Sequence, residues 1–198
     1  MKTLLAVPFA LALLCLPTTP AADAAGPNDW MVDGGHSSVT FRIKHMGASW
    51  FTGAFDSVGG TVTLDPKKPE ATSVKIAIPV DSVDTNNAQR DGHLKNADFF
   101  NAKENPEITF ASTAVKAKGD DLEIAGELAL AGKSKAVTIV AQKVGASEMK
   151  GKRVGYSSEF TIKRSDFGMT WGIEKPPKAL GDEVRLVIGL EADETKAE

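Results

Sequence analysis

The sequence predicts an all-β protein, folded as one antiparallel barrel of about eight strands with a short helix capping one end. Three observations lead to this fold class. Apolar residues alternate with polar ones through most of the chain, turn-forming residues separate the alternating segments, and one polar stretch near the middle interrupts the alternation. Successive side chains of a strand point to opposite faces of a sheet. The alternation therefore predicts strands that each bury one face.

The alternation is clearest from residue 39 onward. Val39, Phe41 and Ile43 are separated by single polar residues, as in a half-buried strand. The same pattern recurs in seven further segments, namely Val62 with Leu64, Val74 to Val80, Ile108 with Phe110, Leu122 to Leu130, Val137 with Ile139, Val154 to Ile162, and Val184 to Leu190. The polar residues between them are rich in Thr, Lys, Glu and Ser, which is typical of a solvent-facing sheet surface.

Short turn signals connect these segments. They are Asp65-Pro66, Gly119-Asp120-Asp121, Ala131-Gly132-Lys133 and Lys150-Gly151-Lys152, and Gly59-Gly60 predicts a bend or bulge within a strand. Short connections favour antiparallel neighbours, and closure into a barrel removes the sheet edges. An eight-stranded barrel is also wide enough to hold one small ligand. A sandwich of two sheets, filled by its own side chains, is the alternative that the pattern leaves open.

A helix is predicted in the stretch between Thr85 and Ala102. Asn86 and Gln89 have the spacing of a helix cap and its partner, and Gly92 interrupts the segment. We expect a short helix across one barrel end. A second irregular stretch, Gly172 to Asp182, is long enough to form another cap or lip beside an opening.

The first residues predict export. Lys2 precedes an apolar run from Leu4 to Leu16, which is too short to span a bilayer, and Ala22-Asp23-Ala24 offers a cleavage site. We therefore expect residues 1–24 to be a cleaved signal peptide and residues 25–198 to be one domain in the periplasm or outside the cell. Lipid attachment at Cys15 is disfavoured because Leu14 precedes it. No later stretch has transmembrane length, so stable membrane insertion is not expected.

Composition and motifs argue against several function classes. The net charge of −3 is spread along the chain, so no nucleic-acid partner is expected. We expect no catalysis, since no nucleophile elbow or phosphate-binding loop is present and the adjacent His36 and Ser37 would point to opposite faces of a strand. No metal or cofactor is predicted. A metal or haem site assembled in space from His36, His45 and His93 is the alternative left open.

A set of short motifs carries a family resemblance. The motifs are His36-Ser37-Ser38-Val39-Thr40-Phe41, His45-Met46-Gly47, Gly53-Ala54-Phe55-Asp56, Val83-Asp84-Thr85, Arg90-Asp91-Gly92-His93-Leu94, Asp98-Phe99-Phe100, Asn105 to Ser112, Gly126 to Leu130, and Arg164 to Met169. In order and spacing they resemble the YceI-like family of periplasmic polyisoprenoid-binding proteins, over essentially all of residues 25–198. The chain departs from the family at Ala129, usually Thr, and in the turn from Gly132 to Val137.

The resemblance implies a lipocalin-like barrel with a long apolar tunnel, and a carrier of an isoprenoid-type lipid such as a polyisoprenoid or an isoprenoid quinone precursor. Such a carrier needs apolar walls and a polar group for the lipid head. The candidate wall residues are Phe41, Ile43, Ile76, Ile78, Phe110, Leu128, Tyr156, Phe160 and Ile162. Ordinary core packing is the competing interpretation of each. A barrel that is filled and works through its surface, as in a stress or interaction protein, is the competing function, and a homodimer through a barrel edge is left open.

Arg90 and His93, together with His45, are the candidate head-group residues. Arg90 and His93 lie three apart on one helical face, where a guanidinium can hold a phosphate with two hydrogen bonds. The competing interpretation is structural, with Arg90 paired to a carboxylate and a surface ion pair between Asp91 and Lys95. For His36 we expect a hydrogen bond within the turn or at the strand start.

Overall fold

The strands form a single antiparallel sheet that closes on itself. The computed structural model describes residues 28–65, 68–173 and 179–195. The predicted signal peptide, residues 1–24, lies outside the described residues, as do residues 174–178 of the second irregular stretch. The strands in chain order are β1 (Asp29–Val32), β2 (Ser38–His45), β3 (Ser49–Phe55), β4 (Gly59–Thr63), β5 (Ser73–Pro79), β6 (Val83–Asp84), β7 (Glu107–Lys118), β8 (Asp121–Leu130), β9 (Lys133–Ser147), β10 (Arg153–Lys163) and β11 (Leu180–Glu194).

The barrel has eight staves, where a stave is one complete crossing of the barrel wall. Three staves consist of two strand segments each, β1 with β2, β3 with β4, and β5 with β6, and β7 to β11 form one stave each. The long strand β11 closes the ring, because it pairs with β2 along its first half and with β1 at its last residues. The predicted eight-stranded antiparallel barrel is therefore confirmed. The alternative of two packed sheets is wrong.

Bends divide the interrupted staves. A 3-10 turn, Val80–Ser82, separates β5 from β6. Gly60, at the start of β4, has a φ of 150°, and a Cβ there would lie 2.1 Å from the carbonyl oxygen of Lys75. Only glycine permits this close approach of β4 to β5. The bend predicted at Gly59-Gly60 is therefore confirmed.

Three of the predicted turns form, and the fourth, Asp65-Pro66, lies partly outside the described residues. Gly119 (φ 66°), Ala131 (φ 49°), Gly132 (φ 76°), Lys150 (φ 62°) and Gly151 (φ 123°) all have positive φ values. Tight hairpins between twisted strands need this left-handed backbone conformation. The hairpins β7–β8, β8–β9 and β9–β10 thus lie where the turn residues predict them.

The predicted helix forms as α1 (Ala88–Leu94). Its cap is Asn87, whose side chain accepts a hydrogen bond from the backbone nitrogen of Arg90 at 2.9 Å. The expectation of Asn86 as the cap is wrong by one residue, because Asn86 takes a left-handed conformation (φ 59°) that turns the chain before the helix begins. In the described part of the chain, no helix is long and apolar enough to cross a membrane.

The two ends of the barrel are built differently. The hairpin end carries the turns β7–β8 and β9–β10, and the helix end carries α1, the hairpins β2–β3 and β8–β9, and the 3-10 turn Arg164–Phe167. Each end has its own cluster of buried apolar side chains. The hairpin-end cluster contains Val74, Val115, Leu122, Ile124 and Ala141. The helix-end cluster contains Val39, Phe41, Phe55, Val58, Ile78, Val80, Val83, Ile108, Leu128, Leu130, Ile162, Phe167 and Met169.

Candidate functional site

A hollow runs through the barrel, which we call the bore. Its volume is ≈ 240 Å³, and its wall takes side chains from every stave. The wall includes Leu64 and Tyr156 from the hairpin end and Leu94, Phe99 and Leu180 from the helix end. The bore therefore extends along the barrel between the two apolar clusters.

Several inward-facing apolar side chains stay only partly buried. Ile76, Phe110 and Phe160 pack against the buried clusters yet keep part of their surface accessible, and so do Leu186 and Ile188 of β11. All five residues line the bore. Their accessible surface therefore faces the hollow, whereas side chains in a filled barrel would cover one another. The filled-barrel alternative is wrong for this reason.

All the wall residues predicted from the alternation lie on the bore. They are Phe41, Ile43, Ile76, Ile78, Phe110, Leu128, Tyr156, Phe160 and Ile162. Their position follows from the strand period of two, which places every second residue of a closed sheet inside. Contact with a ligand stays a prediction for each of them.

Two glycines keep large rings away from the middle of the bore. A Cβ added at Gly53 would lie 2.4 Å from Cζ of Phe41, and one added at Gly126 would lie 2.5 Å from Cζ of Phe110. The rings therefore lie flat against the backbone of the neighbouring strand. Large aromatic side chains can cover the wall here without blocking the bore.

The chemistry of the wall favours an apolar occupant. Nearly all of the lining side chains are aliphatic or aromatic. A water molecule needs two to four polar partners to be held in a protein interior, and large apolar cavities stay dry and bind apolar molecules. An elongated apolar ligand suits this bore better than water does.

Polar residues of β10 and the turn after it also line the bore, and three of them, Tyr156, Ser158 and Arg164, lie at inward-facing positions of the alternation. Tyr156 lies toward the hairpin end, where burial raises the pKa of its phenol and the carboxylates of Asp121 and Asp120 add to the effect. Ser158 is 8% exposed, and its hydroxyl has no hydrogen-bond partner within the described residues. Arg164 follows at the helix end.

Arg90 reaches the bore from α1. Its Nε donates to Oγ1 of Thr85 at 2.8 Å, and its Nη2 donates to the Thr85 carbonyl oxygen at 2.6 Å. Its guanidinium carbon lies 4.2 Å from the ring centre of Phe51, a cation–π contact. The side chain lines both the bore and a shallow surface recess beside it.

The structural interpretation of this helix named the wrong interaction partners for Arg90, Asp91 and Lys95. Arg90 is held by Thr85 and Phe51 rather than by a carboxylate. Asp91 accepts hydrogen bonds from the backbone nitrogen and the hydroxyl of Thr85, so it orders the loop before the helix. Lys95 lies 3.6 Å from a carboxylate oxygen of Asp81 instead of pairing with Asp91.

The two histidines predicted near the head group lie outside the bore wall. His93 lines the surface recess next to Arg90, and its Nε2 is 3.1 Å from a carboxylate oxygen of Asp98. Its ring also meets those of Phe99 and Trp171 edge-on. His45, at the end of β2, is exposed. The geometry thus places Arg90 and His93 together and leaves His45 apart, while their role in binding stays a prediction.

The alternative metal site is wrong, because its three histidines do not meet. His36 lies outside the barrel wall, with Nδ1 2.7 Å from a carboxylate oxygen of Asp33 and with Glu191 nearby. This contact confirms the turn hydrogen bond expected for His36. It raises the pKa of His36 and lowers that of Asp33. Among the described residues, His45 and His93 contribute to no such group.

Sequence reasoning missed two polar residues of the bore, Ser158 and Arg164. Both lie on the inward alternation of β10, which runs through Val154, Tyr156 and their even-numbered successors. The alternation from Val154 to Ile162 would place Ser158 inside, and one further step would place Arg164 there. A polar residue at an inward position of a strand is the signal that could have found them.

Close relatives match almost the whole chain. The protein YceI of an Escherichia coli strain is 41% identical over 98% of this chain and 99% of the relative. The protein YceI of Salmonella agona is 41% identical with the same coverage.

Solved structures share the fold. BcnA of Burkholderia cenocepacia has a TM-score of 0.73 and 28% identity, covering 81% of this chain and 98% of that one. The YCEI protein of Campylobacter jejuni has a TM-score of 0.68 and 31% identity, covering 77% and 90%. A polyisoprenoid binding domain from Saccharophagus degradans, at 17% identity and a TM-score of 0.66, covers 84% and 98% and shows the fold alone. The model of the YceI-like domain matches residues 30–192. The chain therefore belongs to the YceI-like family.

Proposed function

We propose that this protein binds and carries a long apolar lipid of the isoprenoid type, a polyisoprenoid or an isoprenoid quinone precursor, inside its barrel. One observation carries the proposal, namely a continuous apolar bore of ≈ 240 Å³ walled by every stave. An elongated apolar chain would bury its surface along this wall, and burial of apolar surface contributes roughly 25 cal/mol per Å². Binding rather than catalysis is the function proposed.

Two further considerations support the ligand class and the location. The Saccharophagus degradans domain, which has the same fold, is described as polyisoprenoid-binding. The predicted signal peptide at residues 1–24 agrees with a carrier that works in the periplasm or outside the cell. A soluble carrier is needed there because a long isoprenoid cannot cross an aqueous compartment unshielded.

The proposal is tested by blocking the bore. Ser158 is buried on the wall and its hydroxyl has no partner within the described residues, so Ser158→Phe places a ring in the bore without breaking a hydrogen bond seen there. We expect affinity for geranylgeraniol, measured by titration and native mass spectrometry, to fall by roughly tenfold or more. Thr161→Phe is the matched control, because Thr161 lies exposed on the same strand. Equal affinity in both variants would contradict binding in the bore.

A further inference from the structure

Arg164 is a buried cation in the wall of the bore. It follows Ile162 in the inward alternation of β10 and lies in the 3-10 turn Arg164–Phe167. It is 2% exposed. Charged side chains are almost never fully buried unless they are paired, so a buried arginine on an apolar wall requires an explanation.

Two of the three guanidinium nitrogens of Arg164 donate hydrogen bonds. The Nε of Arg164 donates to the carbonyl oxygen of Gly181 at 2.8 Å, and Nη1 donates to that of Met169 at 2.9 Å. The remaining nitrogen, Nη2, is buried without a hydrogen-bond partner in the described part of the chain. The two carbonyl oxygens thus hold the planar guanidinium in place and leave the Nη2 nitrogen without an acceptor.

No carboxylate within the described ranges lies at ion-pair distance from this guanidinium. Asp182 is near enough to act on the charge, and burial lowers the pKa of Arg164 while Asp182 opposes that change. The carboxylate oxygens of Asp182, however, accept hydrogen bonds from the backbone nitrogen and hydroxyl of Ser165 at 2.9 Å each. A buried charged donor without an acceptor is costly, so this position favours an acceptor that arrives with a ligand. Because Nη2 is fully covered in the structure, the apolar side chains around it must shift to admit that acceptor.

Arg90, the other cation of the bore, is less suited to this role. Its Nε and Nη2 both donate to Thr85, its guanidinium stacks on Phe51, and the residue is exposed. A hydrogen bond to a solvated cation gains little, because water competes for it. The same bond formed inside an apolar wall is stronger.

We propose that Arg164 anchors the polar head of the bound lipid, and that the ligand is an isoprenoid lipid whose head carries a hydrogen-bond-accepting oxygen. This inference rests on the proposed function and adds an orientation. The head lies at the helix end against Nη2 of Arg164, and the apolar tail runs toward Val74 and Leu122 at the hairpin end. Arg164 is therefore a binding residue and not merely a support of the turn.

The test uses three probes that share one tail: farnesyl phosphate, farnesol, and the triene hydrocarbon of the same chain. In the wild-type protein, we expect both oxygenated lipids to bind more tightly than the hydrocarbon. In Arg164→Met, their affinities should fall by roughly tenfold to a hundredfold, as expected for loss of a hydrogen bond to a charged donor. The hydrocarbon should bind about equally to both proteins. If Arg164→Met loses more affinity for farnesyl phosphate than for farnesol, the site prefers a lipid with an anionic head.

Two controls separate binding from folding. Arg164→Lys keeps the charge and a donor while removing the fork, and Arg185→Lys makes the same replacement outside the barrel, where Arg185 pairs with Glu159. Arg185→Lys should leave all three affinities unchanged, whereas Arg164→Lys should reduce only those of the oxygenated probes. If Arg164→Met does not fold, NMR of arginine-labelled wild-type protein gives the answer. The Arg164 guanidinium signals should then shift with farnesol and not with the hydrocarbon.

The outcomes distinguish this inference from the function on which it rests. Equal binding of all three probes by the wild-type protein, or an equal loss for all three in the Arg164 variants, would overturn the anchor and leave the carrier proposal standing. Failure of every probe to bind would overturn both.

Discussion

The two ends of the barrel differ in how their strands are connected and in the side chains they bring to the bore. At the hairpin end, tight turns join neighbouring strands, and a compact apolar cluster around Leu122 and Ile124 forms the wall of the bore. At the helix end, the chain uses a helix, a 3-10 turn and longer connections, and it brings Arg90 and Arg164 to the bore. A tight hairpin leaves little room for side chains that reach over a barrel mouth, whereas a long connection can carry them. This difference supports the proposal that a ligand's polar head lies at the helix end.

The largest effect is expected from a substitution that narrows the bore between the two ends. Gly126→Ala puts a Cβ within 2.5 Å of the Phe110 ring and 2.6 Å of the carbonyl oxygen of Ala111, so the ring must turn into the bore. We expect lipid affinity to fall by about tenfold and the free energy of unfolding to fall by about 1–3 kcal/mol. Lipid titration and urea denaturation measure both.

Gly145→Ala is the matched control for this change. Gly145 also lies in a strand, and a Cβ there would meet no atom within 4 Å. Its replacement should leave lipid affinity unchanged. If Gly126→Ala binds lipid as well as Gly145→Ala does, the flat packing of the Phe110 ring does not keep the bore open.

Arg90→Ala tests the role of the exposed cation at the helix end. Arg90 contributes an exposed charge at the helix end of the bore, so its loss should weaken binding of a pyrophosphate-headed isoprenoid several-fold and spare a neutral isoprenoid of the same length. The loss should shrink as salt is added, because exposed charges are screened. Titrations of both lipids at low and high salt provide the measurement. An equal loss for both lipids would mean that Arg90 acts only by holding Thr85 and Phe51.

Tyr156→Phe is the corresponding change near the hairpin end. It removes the phenol hydroxyl, whose pKa is raised by burial. If the head lies at the helix end, farnesol affinity should change by less than about twofold, since no bond to the head is lost. A loss as large as that of Arg164→Met would reverse the proposed orientation. Parallel titration of the two variants decides between them.

The smallest effect is expected outside the wall, at His36, whose side chain is 67% exposed. The hydrogen bond to Asp33 raises the pKa of His36 above 6.5 and lowers that of Asp33 below 3.8. The stabilising contribution of the pair is therefore complete between these two values. It is lost as pH rises through the folded-state pKa of His36, or falls through that of Asp33.

This pair is tested by NMR titration of the histidine rings. Asp33→Asn should return the pKa of His36 toward its ordinary value and leave lipid affinity unchanged. An unaltered pKa would mean that the contact with Asp33 does not persist in solution.

Much of the fold follows from local sequence. The alternation around Phe41 or Phe110 predicts both a strand and its inward face, since a strand allows only two faces. The turn at Ala131-Gly132 is predicted because few residues accept its backbone conformation. The bend at Gly59-Gly60 was predicted, but the division of β5 from β6 at Val80–Ser82 was not, because it depends on the pairing of β6 with the distant strand β3.

The site was predictable in its walls and less so in its polar groups. Both Arg90 and Arg164 stand in motifs that carry the family resemblance, but only Arg90 lies on a predicted helix beside a histidine, the arrangement that suggested a head-group site. The burial of Arg164 depends on two carbonyls, of Gly181 and Met169, that only the closed barrel brings together. The helix cap moved from Asn86 to Asn87 for a similar reason, since either asparagine can cap a helix and the approach of the chain decides between them.

The central claim is that the bore holds a lipid, and native mass spectrometry of the protein purified from the cells that produce it tests this most directly. We expect a complex heavier than the bare chain, from which solvent extraction releases an isoprenoid-type lipid with an oxygen-bearing head. Recovery of the bare chain alone, with no uptake of farnesol or geranylgeraniol on later titration, would contradict it.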